Sequence, residues 1–366
     1  MSLASCGSLI EMNDDSPADP ALTVMTTSAA ALSTTAAAVP EPVTETSLSQ
    51  TQKETVTSAH ETNLPKTVIP DGDSSSGSED EDAGAQEGEK EKKPKSDKIT
   101  SPASAAYALY CVDDHELIAG KALDKKISLA STTKLLTASV MLRHFTTDAY
   151  VTVGQEVYYA NAESTMSYLQ PGTEISVYDL LAAMLLPSGN DAAYTVAVNT
   201  ARAASGDEYM SDDDAIAYFC GLMNDLAAEL GMKHSHFANP EGWDDPEHYT
   251  TLNDMLKLAE YALSEPTLRD ITSTFQWEFN NAVSGYLLWT NTNLFIDPYS
   301  YYYRDDCIGI KTGTTSDAGC CLISAFEIDG KTYICAVMGC NENEDRYILA
   351  GKILEKYLPA DETETE

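Results

Sequence analysis

No aromatic residue precedes Tyr107; the 3 Trp, 20 Tyr and 7 Phe of this 366-residue chain all lie from there on. Aromatic side chains bury more apolar area than any others, so their distribution marks where a core can form. The first 98 residues are rich in Ser, Thr, Ala, Pro and Glu, and cannot bury enough apolar surface to offset their chain entropy. They are expected to be a disordered tether. Its "DGDSSSGSEDEDAGAQEGEKEKKPK" (71–95) is an acidic run followed by a short basic one, a solvated spacer. Residues 99–360 then form one domain of about 260 residues, large enough for a substantial core. Residues 361–366 are expected to fray.

The formal net charge is −36. A nucleic-acid partner is excluded on that ground, because no basic stripe offsets phosphate repulsion. The eight cysteines, Cys6, Cys111, Cys220, Cys307, Cys320, Cys321, Cys335 and Cys340, contain no C-x-x-C and no zinc-type spacing with histidine. Most sit in apolar strand-like runs, where a reduced core thiol is the expectation. No metal or other cofactor is expected. His234 and His236 stand two residues apart without a third ligand nearby, which reads as surface or packing.

Hydrophobic spacing gives the elements. Residues 104–123 read as a hairpin turning at Asp113-Asp114. Residues 131–145 read as an apolar-faced helix that starts at Ser131, a favoured N-cap residue. Further helices are expected over 176–186, 191–204, 212–232 and 251–263. Strand-like runs follow at 275–280, 307–315, 319–328 and 332–340, and a last helix at 344–358. Strands at both ends with helices between predict an α/β (α+β) domain: one antiparallel sheet flanked by helices, with a helical lobe.

Three short motifs occur in order within these elements: Ser131-Thr-Thr-Lys134, Ser188-Gly-Asn190 and Lys311-Thr-Gly313. Each alone is weak; Ser188-Gly-Asn190 by itself is simply a turn between helices. Together they supply what serine-lysine acyl transfer requires. Ser131 and Lys134 share a helix face as nucleophile and base. The base must be a neutral lysine, and both desolvation and a second cation such as Lys311 lower a lysine's pKa. Ser188 is placed to relay a proton to the leaving amine, and Asn190 to position Lys134 and a substrate carbonyl. Lys311 attracts a substrate carboxylate. The strand running on into Thr314 offers backbone N–H groups for an oxyanion hole with the N–H of Ser131.

"ASTTKLLTA", "PSGNDAA" and "GIKTGTTSDAG" resemble the three motifs of the penicillin-binding D-alanyl-D-alanine carboxypeptidases, the low-molecular-mass serine DD-peptidases. The resemblance runs from about residue 102 to 358 and includes "FANPEGWDDPEHYTTLNDMLKLAEYAL" (237–263). It implies the serine β-lactamase/DD-peptidase-like αβα sandwich. It also implies an acyl-enzyme at Ser131, a base at Lys134, a relay at Ser188, and substrate binding by Lys311, Thr312, Gly313 and Thr314. The implied partners are the D-Ala-D-Ala terminus of a peptidoglycan pentapeptide as substrate and β-lactams as covalent inhibitors. A β-lactamase or small-molecule serine hydrolase, or a non-catalytic penicillin-binding sensor, remain as alternatives.

The second motif is Ser-Gly-Asn where class A β-lactamases have Ser-Asp-Asn, and no Glu-x-x-Leu-Asn lies between Lys134 and Ser188. Fast β-lactam hydrolysis is therefore not expected. His248 is expected to hydrogen-bond structurally, and the tyrosines of 299–303 to pack in a loop before the third motif. Leu3-Ala-Ser-Cys6 resembles the lipobox of bacterial lipoproteins, which makes Cys6 a candidate lipidation site and the tether its spacer. Such a protein would stand on the extracytoplasmic face of a bacterium, touching the membrane only through that anchor. No apolar run is long enough to read as a transmembrane helix.

Overall fold

The computed structural model describes residues 105–358. The segment expected to be a tether, the candidate lipidation site Cys6 and residues 361–366 lie outside the described residues.

The domain opens with the expected hairpin, β1 (Ala106–Cys111) and β2 (Glu116–Lys121), joined antiparallel. Its last three strands are β7 (Cys307–Thr315), β8 (Gly319–Ile328) and β9 (Lys331–Cys340). β1 pairs antiparallel with β9, Tyr107 opposite Val337, so the two ends of the domain close one five-stranded sheet in the order β2-β1-β9-β8-β7. β1 is buried along its whole length because both sheet faces are covered.

Alternation sorts the side chains of this sheet into two cores. Ala106, Ala108, Tyr110, Ile323, Ala325, Ile334 and Ala336 face the helical lobe. Tyr107, Leu109, Leu322, Phe326, Cys335 and Val337 face the other way, against α7 (Asp345–Tyr357) through Tyr347, Leu349, Ala350 and Ile353. The result is helix, sheet and helices in layers, as the sequence pattern predicted.

The lobe is built from α1 (Lys134–Leu142), α2 (Val177–Leu185), α3 (Asn190–Ser205), α4 (Asp212–Glu229), α5 (Leu252–Ser264) and α6 (Pro266–Ser273). Ser176, Ser211 and Thr251 cap α2, α4 and α5, each accepting from the backbone N–H three residues on. α6 was not legible in the sequence: it is short, and Pro266 at its first turn reads equally as a breaker. Two further pairings went unread. β3 (Tyr150–Thr152) joins β4 (Glu174–Ser176) through three residues each. β5 (Gln276–Asn281) joins β6 (Gly285–Thr290), forming a separate hairpin rather than an addition to the main sheet.

Among the described residues seven cysteines are free thiols, and all but Cys220 are buried. No described helix is long and apolar enough to cross a membrane. The tyrosine loop differs from expectation. Tyr302 stacks on Tyr347, while Tyr299 and Tyr301 stand in solvent.

Phe326 is fully buried and packs edge-on against Phe295, with ring centroids 5.5 Å apart. Phe326→Ala should lower unfolding free energy by about 3–5 kcal/mol in urea denaturation. It lies on the sheet face turned towards α7, so the far-UV circular dichroism of the folded variant should match that of wild type.

Candidate active site

Ser131 does not cap a helix. It sits in a 3-10 turn, Ala130–Thr133, that precedes α1, and no side-chain cap bond is made at either helix start. Ala130 takes φ +49°, a left-handed conformation rare outside glycine, which swings the chain into this turn. The turn is held from both sides. Thr132 Oγ1 donates to the Leu129 carbonyl at 2.6 Å, and Thr133 Oγ1 donates to the Ala130 carbonyl at 2.9 Å. The backbone N–H of Ala238 donates to His248 Nδ1 at 3.0 Å, so the ring proton is on Nε2, which lies 2.7 Å from Thr133 Oγ1. His248 is thus a buried, neutral strut beneath the turn carrying Ser131.

With its hydroxyl free of a capping role, Ser131 meets Lys134. Lys134 is fully buried, and its Nζ lies 2.9 Å from Ser131 Oγ, 2.5 Å from Asn190 Oδ1 and 2.8 Å from the Glu241 carbonyl. The two carbonyl oxygens can only accept. A neutral amine therefore gives its two N–H groups to them and turns its lone pair to the Ser131 hydroxyl. Burial lowers the Lys134 pKa to about 7, against the opposing pull of the Glu241 and Asp191 carboxylates.

Ser188 also has a left-handed backbone, φ +64°, and its buried Oγ has no protein partner. Its loop is pinned by Thr165, whose hydroxyl donates to the Ser188 carbonyl and whose carbonyl accepts from the Asn190 N–H. α3 begins one residue earlier than its apolar pattern suggested, which puts Asn190 in the first turn facing Lys134. Asp191 anchors the facing loop through the N–H groups of Ser167 and Leu169 and the Ser167 hydroxyl.

β7 is an edge strand, so one side of it is left open to the turn carrying Ser131. The two backbones touch at Gly313, where a Cβ would lie 2.8 Å from the Ser131 nitrogen. Gly242 answers on the other side of the turn, with φ +95° and room for no Cβ against the Ala130 carbonyl. Thr312 Oγ1 lies 2.6 Å from Thr292 Oγ1. Thr314 is exposed at the cleft. Lys311 is buried, donates to the Thr312 carbonyl at 3.0 Å, and is held well below the ordinary lysine range by burial, Lys134 and Arg346.

A cleft of about 280 Å³ opens over this arrangement, lined by Ser131, Thr165, Asn190, Glu241, Trp243 and Thr314 among others. The three motifs, spread over about 180 residues of chain, thus come together: Ser131 and Asn190 line the cleft with Thr314, and Gly313 of the third motif touches the Ser131 backbone behind it. An amine with a pKa near 7, a hydroxyl beside it and an exposed strand edge can perform nucleophilic acyl transfer.

The sequence did not single out Glu241, Tyr194 or Arg346. Arg346, on α7, reaches through the sheet end to the carbonyls of Gly313 at 3.1 Å and Cys321 at 2.9 Å. A lone arginine on an amphipathic helix carries no spacing signal. Glu241 lies in a loop between Pro240 and Gly242, where a single carboxylate carries no spacing signal. His236 bonds the Glu247 carbonyl and stacks on Tyr249, a packing role.

Comparison with known proteins agrees with this geometry. Residues 93–342 match the peptidase S11 family model, described as D-alanyl-D-alanine carboxypeptidase. A D-alanyl-D-alanine carboxypeptidase of Streptomyces sp. strain K15 is 31% identical over 70% of this chain and 88% of its own length. One from Bacillus subtilis is 26% identical over 66% of this chain, and one from Escherichia coli 29% over 63%. These matches span only 59% and 55% of those two relatives. The crystal structure of the Streptomyces K15 DD-transpeptidase superposes with a TM-score of 0.63 at 29% identity, covering 71% of this chain and 99% of that one.

His248 gives a stability signature. Burial lowers its pKa to about 4, against an opposing pull from Asp245. Between pH 6.5 and about 4 the unfolded chain therefore binds the proton first, and stability falls as pH falls through this window. The loss from this group should approach about 3 kcal/mol. Urea denaturation of wild type and His248→Gln across that range should show the variant lacking this part of the slope.

Proposed function

Since the chain belongs to the D-alanyl-D-alanine carboxypeptidase family of serine peptidases, peptidase S11, we propose that it removes the terminal D-Ala from peptidoglycan pentapeptides through an acyl-enzyme at Ser131. The observation that carries the reading is the buried Lys134 amine 2.9 Å from the Ser131 hydroxyl. Ser131 Oγ attacks the carbonyl carbon of the penultimate D-Ala while its proton passes to Lys134. The ammonium so formed keeps all three contacts, now donating to Ser131, Asn190 and the Glu241 carbonyl, so the step needs little rearrangement. The negative charge on the carbonyl oxygen falls to backbone N–H groups of Ser131 and the β7 edge near Thr314.

Collapse of this intermediate breaks the peptide bond. The leaving D-Ala nitrogen takes a proton, for which Ser188 Oγ is the relay from Lys134; its buried hydroxyl has no competing protein partner. Lys311 and Thr312 bind the terminal carboxylate of the substrate. A carboxylate entering there would restore the charge that burial removes from Lys311. Water then hydrolyses the Ser131 ester and frees the shortened peptide. Penicillin enters the same path, and its ring-opened acyl group stays on Ser131. A substrate in the cell wall places the domain outside the cytoplasm.

Mass spectrometry after incubation with penicillin should find one adduct, on the peptide containing Ser131, and none in Ser131→Ala. Lys134→Ala should retain the fold and lose acylation by roughly 10³-fold or more, the scale of a lost catalytic base. On diacetyl-Lys-D-Ala-D-Ala, wild type should release D-alanine. Lys311→Ala should lose far more activity on this substrate than on one whose terminal carboxylate is amidated. Persistent labelling of Ser131→Ala, or no D-alanine from an acylating wild type, would contradict the proposal.

A further inference from the structure

Glu241 lies in the loop between α4 and α5, on the cleft wall, with 4% of its surface exposed. Its backbone holds Lys134 and its side chain holds Tyr194, so one buried residue joins the two. The carbonyl holds Lys134 Nζ at 2.8 Å, and carboxyl Oε1 accepts from the Tyr194 hydroxyl at 2.9 Å. Oε2 is buried with no protein partner. A carboxylate so placed is a poor ion: one oxygen has a single hydrogen bond and the other none.

We propose that the Glu241 carboxyl, held by Tyr194, is a positioning and charge-sharing partner of Lys134 that sets the pH range over which Ser131 is acylated. The inference rests on Lys134 being the base. When Glu241 is ionised, its charge favours the ammonium form of Lys134 and withholds the base. When Glu241 is neutral, that hold is released, and the amine gives its lone pair to Ser131. Burial favours the neutral carboxyl, while the Lys134 charge and the Tyr194 hydroxyl favour the ionised one. The two titrate as a pair, with Tyr194 biasing which member holds the proton.

Other charged and titratable groups surround this pair. α3 contributes Asp191, whose carboxylate also favours protonated Lys134. Tyr159 stacks against Tyr194 from the 3-10 turn Gln155–Tyr159, and Cys220 faces it from α4. The loop itself carries Asp244, Asp245 and His248, and β7 carries Lys311 with Arg346 behind it. Of the two carboxylates that favour protonated Lys134, Asp191 has both oxygens occupied by backbone N–H groups of the facing loop. Glu241 Oε2, by contrast, is buried without a protein partner, and burial raises the pKa of this carboxyl.

The experiment is the second-order rate of acylation by a fluorescent penicillin between pH 5 and 9, with folding checked by thermal denaturation. In wild type the rate should rise with pH. Glu241→Gln removes the charge while keeping the shape, and should move the rising limb down by about one pH unit, a tenfold rise in rate on the acid side. Tyr194→Phe withdraws the bond that favours the ionised carboxyl, and should move it down by less. In a Glu241→Gln background Tyr194→Phe should not move it further. An unmoved or upward-shifted limb in folded Glu241→Gln overturns the inference, as does an equal Tyr194→Phe shift in both backgrounds. Should Glu241→Gln fail to fold, Tyr194→Phe alone decides: a downward shift supports, no shift overturns. A wild type that acylates without any rising limb removes Lys134 as base, and the inference with it.

Discussion

A primary amine with none of its surface in water is the constraint around which this domain is organised. Moving the Lys134 side chain into the interior as an ion is costly, and its Nζ touches no carboxylate oxygen directly. The protein gives Nζ two carbonyl acceptors and one hydroxyl, a set that suits a neutral amine and its protonated form alike. Those acceptors come from three separate places: α3 through Asn190, the α4–α5 loop through Glu241, and the 3-10 turn through Ser131. The packing of the helical lobe therefore also assembles the surroundings of this amine.

The turn carrying Ser131 is strained locally and compensated by its neighbours. Ala130 and Ser188 both occupy left-handed backbone, and each is fixed by bonds from elsewhere: Thr133 and His248 under the first, Thr165 beside the second. Gly313 and Gly242 close on the turn from two sides at distances that exclude any side chain. Because β7 is the sheet's edge, this contact leaves strand hydrogen-bonding groups open along the cleft.

Much of this was legible in the sequence, for particular physical reasons. The hairpin at 104–123 and the strands at 307–340 carry β-rich apolar runs, and their closure into one sheet followed from their places at both ends of the domain. The three motifs identified the cleft edge because serine, lysine and asparagine at those spacings have few structural uses in common. What failed was local geometry. A serine before an apolar-faced helix reads as a cap, and only tertiary contacts turn Ala130–Thr133 into a 3-10 turn. The run at 275–280 has strand character but no signal for which strand it joins. Lys311 was expected to help lower the Lys134 pKa; burial is the main cause at Lys134, and at Lys311 burial leads while Lys134 and Arg346 add to it. Glu241, Tyr194 and Arg346 reach the site through long-range contacts that no short motif encodes.

The central claim is that Lys134 is a neutral-capable amine inside the folded protein. Heteronuclear NMR of protein labelled with 13C at lysine Cε, with the Lys134 resonance assigned by its loss in Lys134→Arg, measures this directly. The account predicts that this resonance titrates near pH 7, where burial places it. A Lys134 that stays fully protonated up to about pH 10, the range of an ordinary lysine, would contradict it.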